Sequence, residues 1–123
     1  MLYNYLPAVL GDGIWRMLGL VLSAVNTGSD GVFLVDDIDT GLHFSTMTDM
    51  WRMIWKIAND WDIQVFATTH SRDCWESLAE IAQTEDTQKD GIIVHRIERD
   101  QLSSVIFNES EIMVAAQRDI EVR

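Results

Sequence analysis

Apolar positions along the chain alternate between helix-like and strand-like spacing. Between Ile14 and Val25 they recur every three or four residues, which predicts a helix that ends at the polar residues 26–29. The opposite side of this helix is apolar too, with Trp15, Gly19, Leu20 and Ala24. We therefore expect a helix that is buried on two sides.

A strand, a helix and a second strand are predicted next. Residues 31–35 form a short apolar run that ends abruptly at Asp36 and Asp37, as a central parallel strand does. Ser45 can cap the helix that follows, and residues 63–68 form the next strand. The helix carries one apolar stripe, made of Met47, Met50, Trp51, Ile54, Ala58 and Trp61. This order predicts a right-handed crossover and two parallel neighbours.

The last third of the chain predicts a helix, a hairpin and a short helix. Ser71 can cap the first helix, which is followed by a polar loop at residues 84–90. Residues 92–97 and 102–107 alternate as an antiparallel hairpin at the sheet edge, and residues 108–111 have capping-box spacing. The predicted fold is α/β, with a mostly parallel sheet flanked by helices and a C-terminal β-hairpin.

Composition and charge narrow the class of protein. The 123 residues, of which 47% are hydrophobic, predict a single domain over residues 1–123. A net charge of −11 argues against direct nucleic-acid contact by this segment. Cys74 is the single cysteine, and no apolar run approaches the ~20 residues that span a bilayer. We therefore expect a cytoplasmic protein with no membrane contact and no export signal.

Candidate chemistry lies at the ends of the two predicted parallel strands. Four apolar residues followed by Asp36 and Asp37 fit the Walker B pattern, in which the first acid holds Mg²⁺ and the second orients the attacking water. His70 follows the next strand and could contact a γ-phosphate there. The alternatives are a solvated loop for the two acids and a capping or packing role for His70.

The chain resembles the ABC-type AAA ATPases related to the overcoming-lysogenization-defect (OLD) and SMC/Rad50 heads. The resemblance is carried, in family order, by residues 10–14, 32–43, 66–71 and 121–123. It implies a partial P-loop NTPase domain that uses ATP and Mg²⁺. Under this resemblance Asp36 is the magnesium acid, Asp37 stands where the family has its catalytic Glu, and His70 is the switch histidine.

The same resemblance implies that two further segments face a second ATPase head. Gly11, Asp12 and Gly13, which are expected to open the first helix, look like a degenerate signature motif that caps the γ-phosphate of the opposite subunit's ATP. Residues from Asp39 to His43 would form the D-loop region, which faces the partner head. A turn before a helix explains the Gly-Asp-Gly segment equally well.

The sequence departs from the family in two ways. Asp37 is one methylene shorter than Glu, which predicts slow hydrolysis. A Gly-x-x-x-x-Gly-Lys-[Ser/Thr] phosphate loop does not occur in the sequence, and the family places this Walker A loop nearer the N-terminus than the segment present here. The prediction is therefore the C-terminal lobe of an ABC-type ATPase head, active only with an N-terminal Walker A lobe. Its other expected partner is a second head in a homodimer.

The sequence leaves two alternatives to this prediction. The first is a catalytically inactive, truncated module that binds a full-length ATPase partner. The second is the metal cluster of a phosphohydrolase, built from Asp36, Asp37, Asp39 and His43. The second is disfavoured because acids at positions i and i+1 of a strand point to opposite faces. The Trp and Met stripe from Met47 to Trp61 is interpreted as core, or as a surface left open by a missing half of the domain, rather than as a cofactor site.

Overall fold

A computed structural model describes residues 2–84 and 91–118, with side chains from Gly13 onward. The polar loop predicted at residues 84–90 and the matching terminus at residues 121–123 therefore fall largely outside the described residues. The chain groups into two compact units, Met1–Thr69 and His70–Arg123. The single domain predicted from the sequence stays a prediction.

The first unit contains the strand, helix and strand that the sequence predicts. Its elements in chain order are α1 (Leu2–Asn26), β1 (Val32–Val35), α2 (Phe44–Trp61) and β2 (Gln64–Ala67). The two strands are parallel, with register from Val32 opposite Gln64 to Val35 opposite Ala67. Parallel pairing brings the carboxyl ends of both strands to one edge. The residues that follow β1 and β2 therefore start side by side.

Helix α2 confirms the predicted apolar stripe and corrects its cap. Met47, Met50, Trp51 and Ile54 are buried, whereas Trp61 at the end of the stripe is 41% exposed. The N-cap is His43 rather than Ser45, because the His43 side chain accepts a hydrogen bond from the Ser45 amide at 3.3 Å. An imidazole nitrogen thus takes the place of the expected hydroxyl oxygen.

Helix α1 differs from the prediction in its start and in its burial. It begins at Leu2, so Gly11, Asp12 and Gly13 lie inside the helix and do not open it. Leu20 and Ala24 are buried. The prediction of burial on two sides is wrong, because α1 packs against α2 and four apolar residues on its other side are exposed. These residues are Ile14, Trp15, Leu18 and Leu22.

The second unit contains two helices and the predicted hairpin. Its elements are α3 (Arg72–Thr84), β3 (Val94–Arg96), β4 (Val105–Phe107) and α4 (Glu109–Gln117). Helices α3 and α4 pack together, with Trp75 and Ala115 buried at their contact. The capping box of α4 is confirmed, since the Asn108 side chain accepts from the Glu111 amide and the Glu111 carboxylate accepts from the Asn108 amide.

The hairpin strands form a sheet of their own. Strands β3 and β4 pair antiparallel, with Val94 opposite Phe107, and the described strands make one parallel and one antiparallel two-stranded sheet. The α/β class is confirmed. The placement of the hairpin at the edge of a single, mostly parallel sheet is not found in the described ranges, because β3 pairs with β4 alone. None of the described helices has the length and apolar character needed to cross a membrane.

Candidate functional site

The acidic segment after β1, residues 36–39, is joined to the segment after β2 by backbone hydrogen bonds. The Thr68 amide donates to the Val35 carbonyl at 3.0 Å, and the Ile38 amide donates to the Thr68 carbonyl at 3.0 Å. Ile38 is completely buried, so its side chain anchors the acidic segment in the core of the unit. The sequence-predicted acids Asp36, Asp37 and Asp39 therefore start from a fixed backbone at the carboxyl edge of the sheet.

Two threonine hydroxyls at the end of β2 contact this acidic segment. The Thr68 hydroxyl donates to a carboxylate oxygen of Asp36 and accepts from the Asp37 amide at 2.9 Å. The Thr69 hydroxyl donates to a carboxylate oxygen of Asp39. Neither threonine was among the site residues predicted from the sequence. The available signal was their place directly after the strand that pairs with β1, since Val35 lies opposite Ala67 and the next residues of both strands are neighbours.

Asp37 adopts a left-handed backbone conformation. Its φ is 47°, a region that costs an L-residue about 1–2 kcal/mol and that Asp and Asn tolerate best. The Asp37 carbonyl accepts from Arg16 Nη2 at 3.2 Å and from the Thr40 amide at 3.0 Å. The strand itself ends at Val35, so Asp36 and Asp37 lie in a bend. The alternation argument used against a shared metal ion therefore does not apply to these two acids.

The acids do not form a dense metal cluster. Among the side chains that the structure describes, no group of three or more His, Cys, Asp and Glu residues could hold a metal ion. Asp36 is exposed, and one of its carboxylate oxygens accepts a hydrogen bond from the Thr68 hydroxyl. An exposed carboxylate of this kind suits a hydrated Mg²⁺, which keeps several of its waters and takes one or two protein oxygens. The four-residue phosphohydrolase cluster has no support in the geometry.

Gly13 and His43 line one groove between α1 and α2. Its volume is about 750 Å³, and Gly41 and His43, from the loop before α2, also line it. The helix passes close to this loop, since a Cβ atom at Gly13 would lie 3.5 Å from the Gly41 carbonyl oxygen. The other lining residues are Ile14, Met17, Thr46, Asp49, Arg52 and Met53. Gly13 of the signature-like segment and His43 of the predicted D-loop region thus share a surface, although Gly13 lies within the helix.

The two predicted histidines, His43 and His70, lie in different compact units of the chain. His43 caps α2, its Nδ1 lies 2.8 Å from the Ser45 hydroxyl, and its ring stacks at a tilt on Phe44 at 4.3 Å between centroids. His70 is the first residue of the second unit, directly after Thr69. Its role as a γ-phosphate contact stays a prediction.

Comparison with known proteins identifies relatives of this segment. A family model described as "AAA domain, putative AbiEii toxin, Type IV TA system" matches residues 3–73, which include the acidic segment, both threonines and His70. A protein of Helicobacter pylori (strain ATCC 700392 / 26695) named ATP/GTP phosphatase is 33% identical over 82 residues. The match covers 64% of this chain and 22% of that protein, so the chain spans about a fifth of its relative's length. No solved structure gives a significant match.

Proposed function

The chain belongs to this AAA domain family, and from that premise we propose that it supplies the Walker B part of an ABC-type head that hydrolyses ATP. The observation that carries the proposal is the cluster of Asp36, Asp37 and Thr68 where parallel strands β1 and β2 end. This cluster lies inside the segment that the family model matches. The name of the Helicobacter relative, an ATP/GTP phosphatase, supports nucleotide hydrolysis.

Asp36 is the proposed magnesium residue. Its side chain is exposed, and a carboxylate is the ligand type that Mg²⁺ prefers. When bound, the ion would neutralise charge that develops on the phosphate oxygens during transfer. Asp36 would hold one water of its hydration shell, and the Thr68 hydroxyl would fix the second carboxylate oxygen.

Asp37 is the proposed water-orienting acid. It lies one residue beyond Asp36 on a backbone that is bonded to β2, so its Cα is fixed relative to the metal residue. A fixed carboxylate can hold an attacking water in line with a γ-phosphate, which is most of what phosphoryl transfer asks of the protein. For His70, the resemblance to ABC-type heads carries the proposal that it contacts the same phosphate.

A second ATPase head is the proposed partner of the groove at Gly13 and His43. The helix-start argument for Gly11, Asp12 and Gly13 fails because α1 continues back to Leu2. What supports the proposal now is that Gly13 and the predicted D-loop residue His43 line the same groove. A groove of about 750 Å³ has room for a segment of another chain or for part of its nucleotide. In this arrangement a homodimer would enclose ATP between two heads.

An inactive module that pairs with a full-length ATPase is the second candidate function. It is favoured by an exposed apolar face of the parallel sheet. On that face Val32, Leu34 and Phe66 are 54%, 72% and 52% exposed. An apolar face of this kind is typical of a surface that another segment or chain covers.

The two candidates are separated by joining the chain to a lobe that carries the Walker A loop. If the proposed function holds, the joined head hydrolyses ATP, and Asp36→Ala abolishes Mg²⁺-dependent turnover. Thr27→Val is a matched control, because Thr27 donates to the Ser23 carbonyl on the exposed end of α1, away from the acids. A joined head that binds ATP without turning it over favours the inactive module.

A further inference from the structure

We infer that Thr68 and Arg16 are positioning residues, which together hold Asp37 in the conformation that aims its carboxylate. The inference deepens the proposed function and rests on it, because it concerns how the water-orienting acid is placed. Neither residue has a role in the chemistry itself. Both contact the Asp37 backbone from other elements, Thr68 from the end of β2 and Arg16 from α1.

The conformation of Asp37 needs external support. A φ of 47° lies in the left-handed region, where residues other than Gly are uncommon. Such a conformation persists when surrounding contacts over-determine it. Here the amide donates to the Thr68 hydroxyl at 2.9 Å, and the carbonyl accepts from Arg16 at 3.2 Å and from the Thr40 amide at 3.0 Å. The buried side chain of Ile38 fixes the next residue.

Thr68 serves both acids with a single hydroxyl group. Its oxygen accepts from the Asp37 amide while its hydrogen goes to the Asp36 carboxylate. A hydroxyl has one donor hydrogen and accepting lone pairs, so both bonds form at once. The magnesium residue and the water-orienting residue therefore share one contact. Loss of this hydroxyl should disturb metal binding and catalysis together.

Of the two acids, Arg16 contacts Asp37 in the part of the chain that the structure describes. Its Nη2 atom reaches across 21 residues of sequence to the Asp37 carbonyl. This bond fixes the Asp37 carbonyl from a different element of the unit, the helix α1. Loss of Arg16 should lower turnover without changing the response to Mg²⁺.

The test combines one measurement that needs no nucleotide with one that does. Amide hydrogen exchange of Asp37 and Ile38 is measured by NMR in the 123-residue chain, and kcat, KM and Mg²⁺ dependence are measured in the joined head. The variants are Thr68→Val, which keeps the side-chain shape, Thr68→Ser, which keeps the hydroxyl, and Arg16→Met, which keeps the apolar stem. Thr27→Val is the control, and thermal melting checks that each variant is folded.

The expected results differ between the two residues. Thr68→Val should speed exchange of the Asp37 amide, raise the Mg²⁺ concentration needed for half-maximal rate, and lower kcat about 10- to 100-fold, as misplacement by about 1 Å does. The KM for ATP should stay within about twofold, because the phosphate cradle is elsewhere. Thr68→Ser should restore all three. Arg16→Met should lower kcat with an unchanged Mg²⁺ response.

Two results would overturn the inference. The first is a wild-type joined head that turns over while Thr68→Val leaves kcat within about twofold, which a positioning role excludes. The second is unchanged exchange of the Asp37 amide in Thr68→Val, since the hydroxyl then does not hold that amide. If the wild-type joined head binds ATP without turnover, the proposed function fails separately. The exchange measurement then still decides whether Thr68 holds Asp37.

Discussion

Replacement of Asp37 tests the catalytic assignment and the backbone geometry with one pair of variants. Asp37→Asn keeps the side-chain length and tolerates the left-handed region, but it removes the charge. Asp37→Glu keeps the charge and adds one methylene, which extends the carboxylate by about 1.5 Å. The two variants therefore separate the chemistry of the carboxylate from the conformation of the backbone.

The left-handed φ of 47° determines how much stability Asp37→Glu should lose. Asp is enriched several-fold over residues such as Glu in that region, which corresponds to about 1 kcal/mol of unfolding free energy. For a unit of about 70 residues, this loss lowers the melting temperature by about 4–8 °C. Asp37→Asn should melt within about 2 °C of the wild type, because it carries no such cost.

The assay has two parts, thermal melting of the 123-residue chain by circular dichroism and single-turnover ATP hydrolysis by the joined head. Asp37→Asn should lower turnover by about 100-fold with little loss of ATP binding, because it removes an interaction made only in the transition state. Asp37→Glu should raise turnover despite its lower stability. If both variants leave the rate unchanged while ATP binds, Asp37 is not the water-orienting acid. If Asp37→Glu melts like the wild type, the conformational argument is wrong.

Three further predictions follow from particular side chains. Asp36→Ala in the joined head should raise the Mg²⁺ concentration needed for ATP binding, by titration calorimetry, whereas an unchanged Mg²⁺ response would remove Asp36 as the metal residue. Gly13→Ala should stabilise α1 by about 0.5–1 kcal/mol in thermal melting, since the added Cβ meets only an ordinary contact at 3.5 Å. The same variant should weaken ATP-dependent pairing of two joined heads, and unchanged pairing would contradict the role of the groove. The 123-residue chain should self-associate in light scattering, because the apolar sheet face is exposed. Leu34→Lys, at a sheet position that is 72% exposed, should reduce the self-association without changing the melting temperature of the chain. A wild-type monomer at high concentration would contradict the idea that the sheet face is covered in function.

Local patterns were sufficient to predict the parallel pair and the acids at its end. The apolar run before Asp36 and the helical stripe of α2 are strong signals, because burial imposes a period on side chains. The capping box at Asn108 and Glu111 was also predictable, since its residue types are those that accept hydrogen bonds from the unpaired amides at a helix start. These elements place Asp36 and Asp37 without any long-range information.

Contacts between distant residues could not be predicted from such patterns. The bond from Arg16 to Asp37 joins residues 21 apart, and neither residue type nor period marks it. The left-handed conformation of Asp37 could not be predicted either, because the residue at this position is not a glycine. The start of α1 was predicted wrongly because residues that usually break a helix lie inside it. Pro7 and the glycines at positions 11 and 13 are residues that break helices in isolation, yet the helix continues through them to Leu2.

Turnover measured in the chain alone and in the joined head tests the central claim most directly. The claim is that this chain provides the metal and water-orienting acids of a nucleotide site and lacks the phosphate cradle. The account predicts no ATP turnover above controls for the 123-residue chain, and Mg²⁺-dependent turnover by the joined head that Asp36→Ala abolishes. Turnover by the purified chain alone, surviving controls for contaminants and lost in Asp36→Ala, would contradict it.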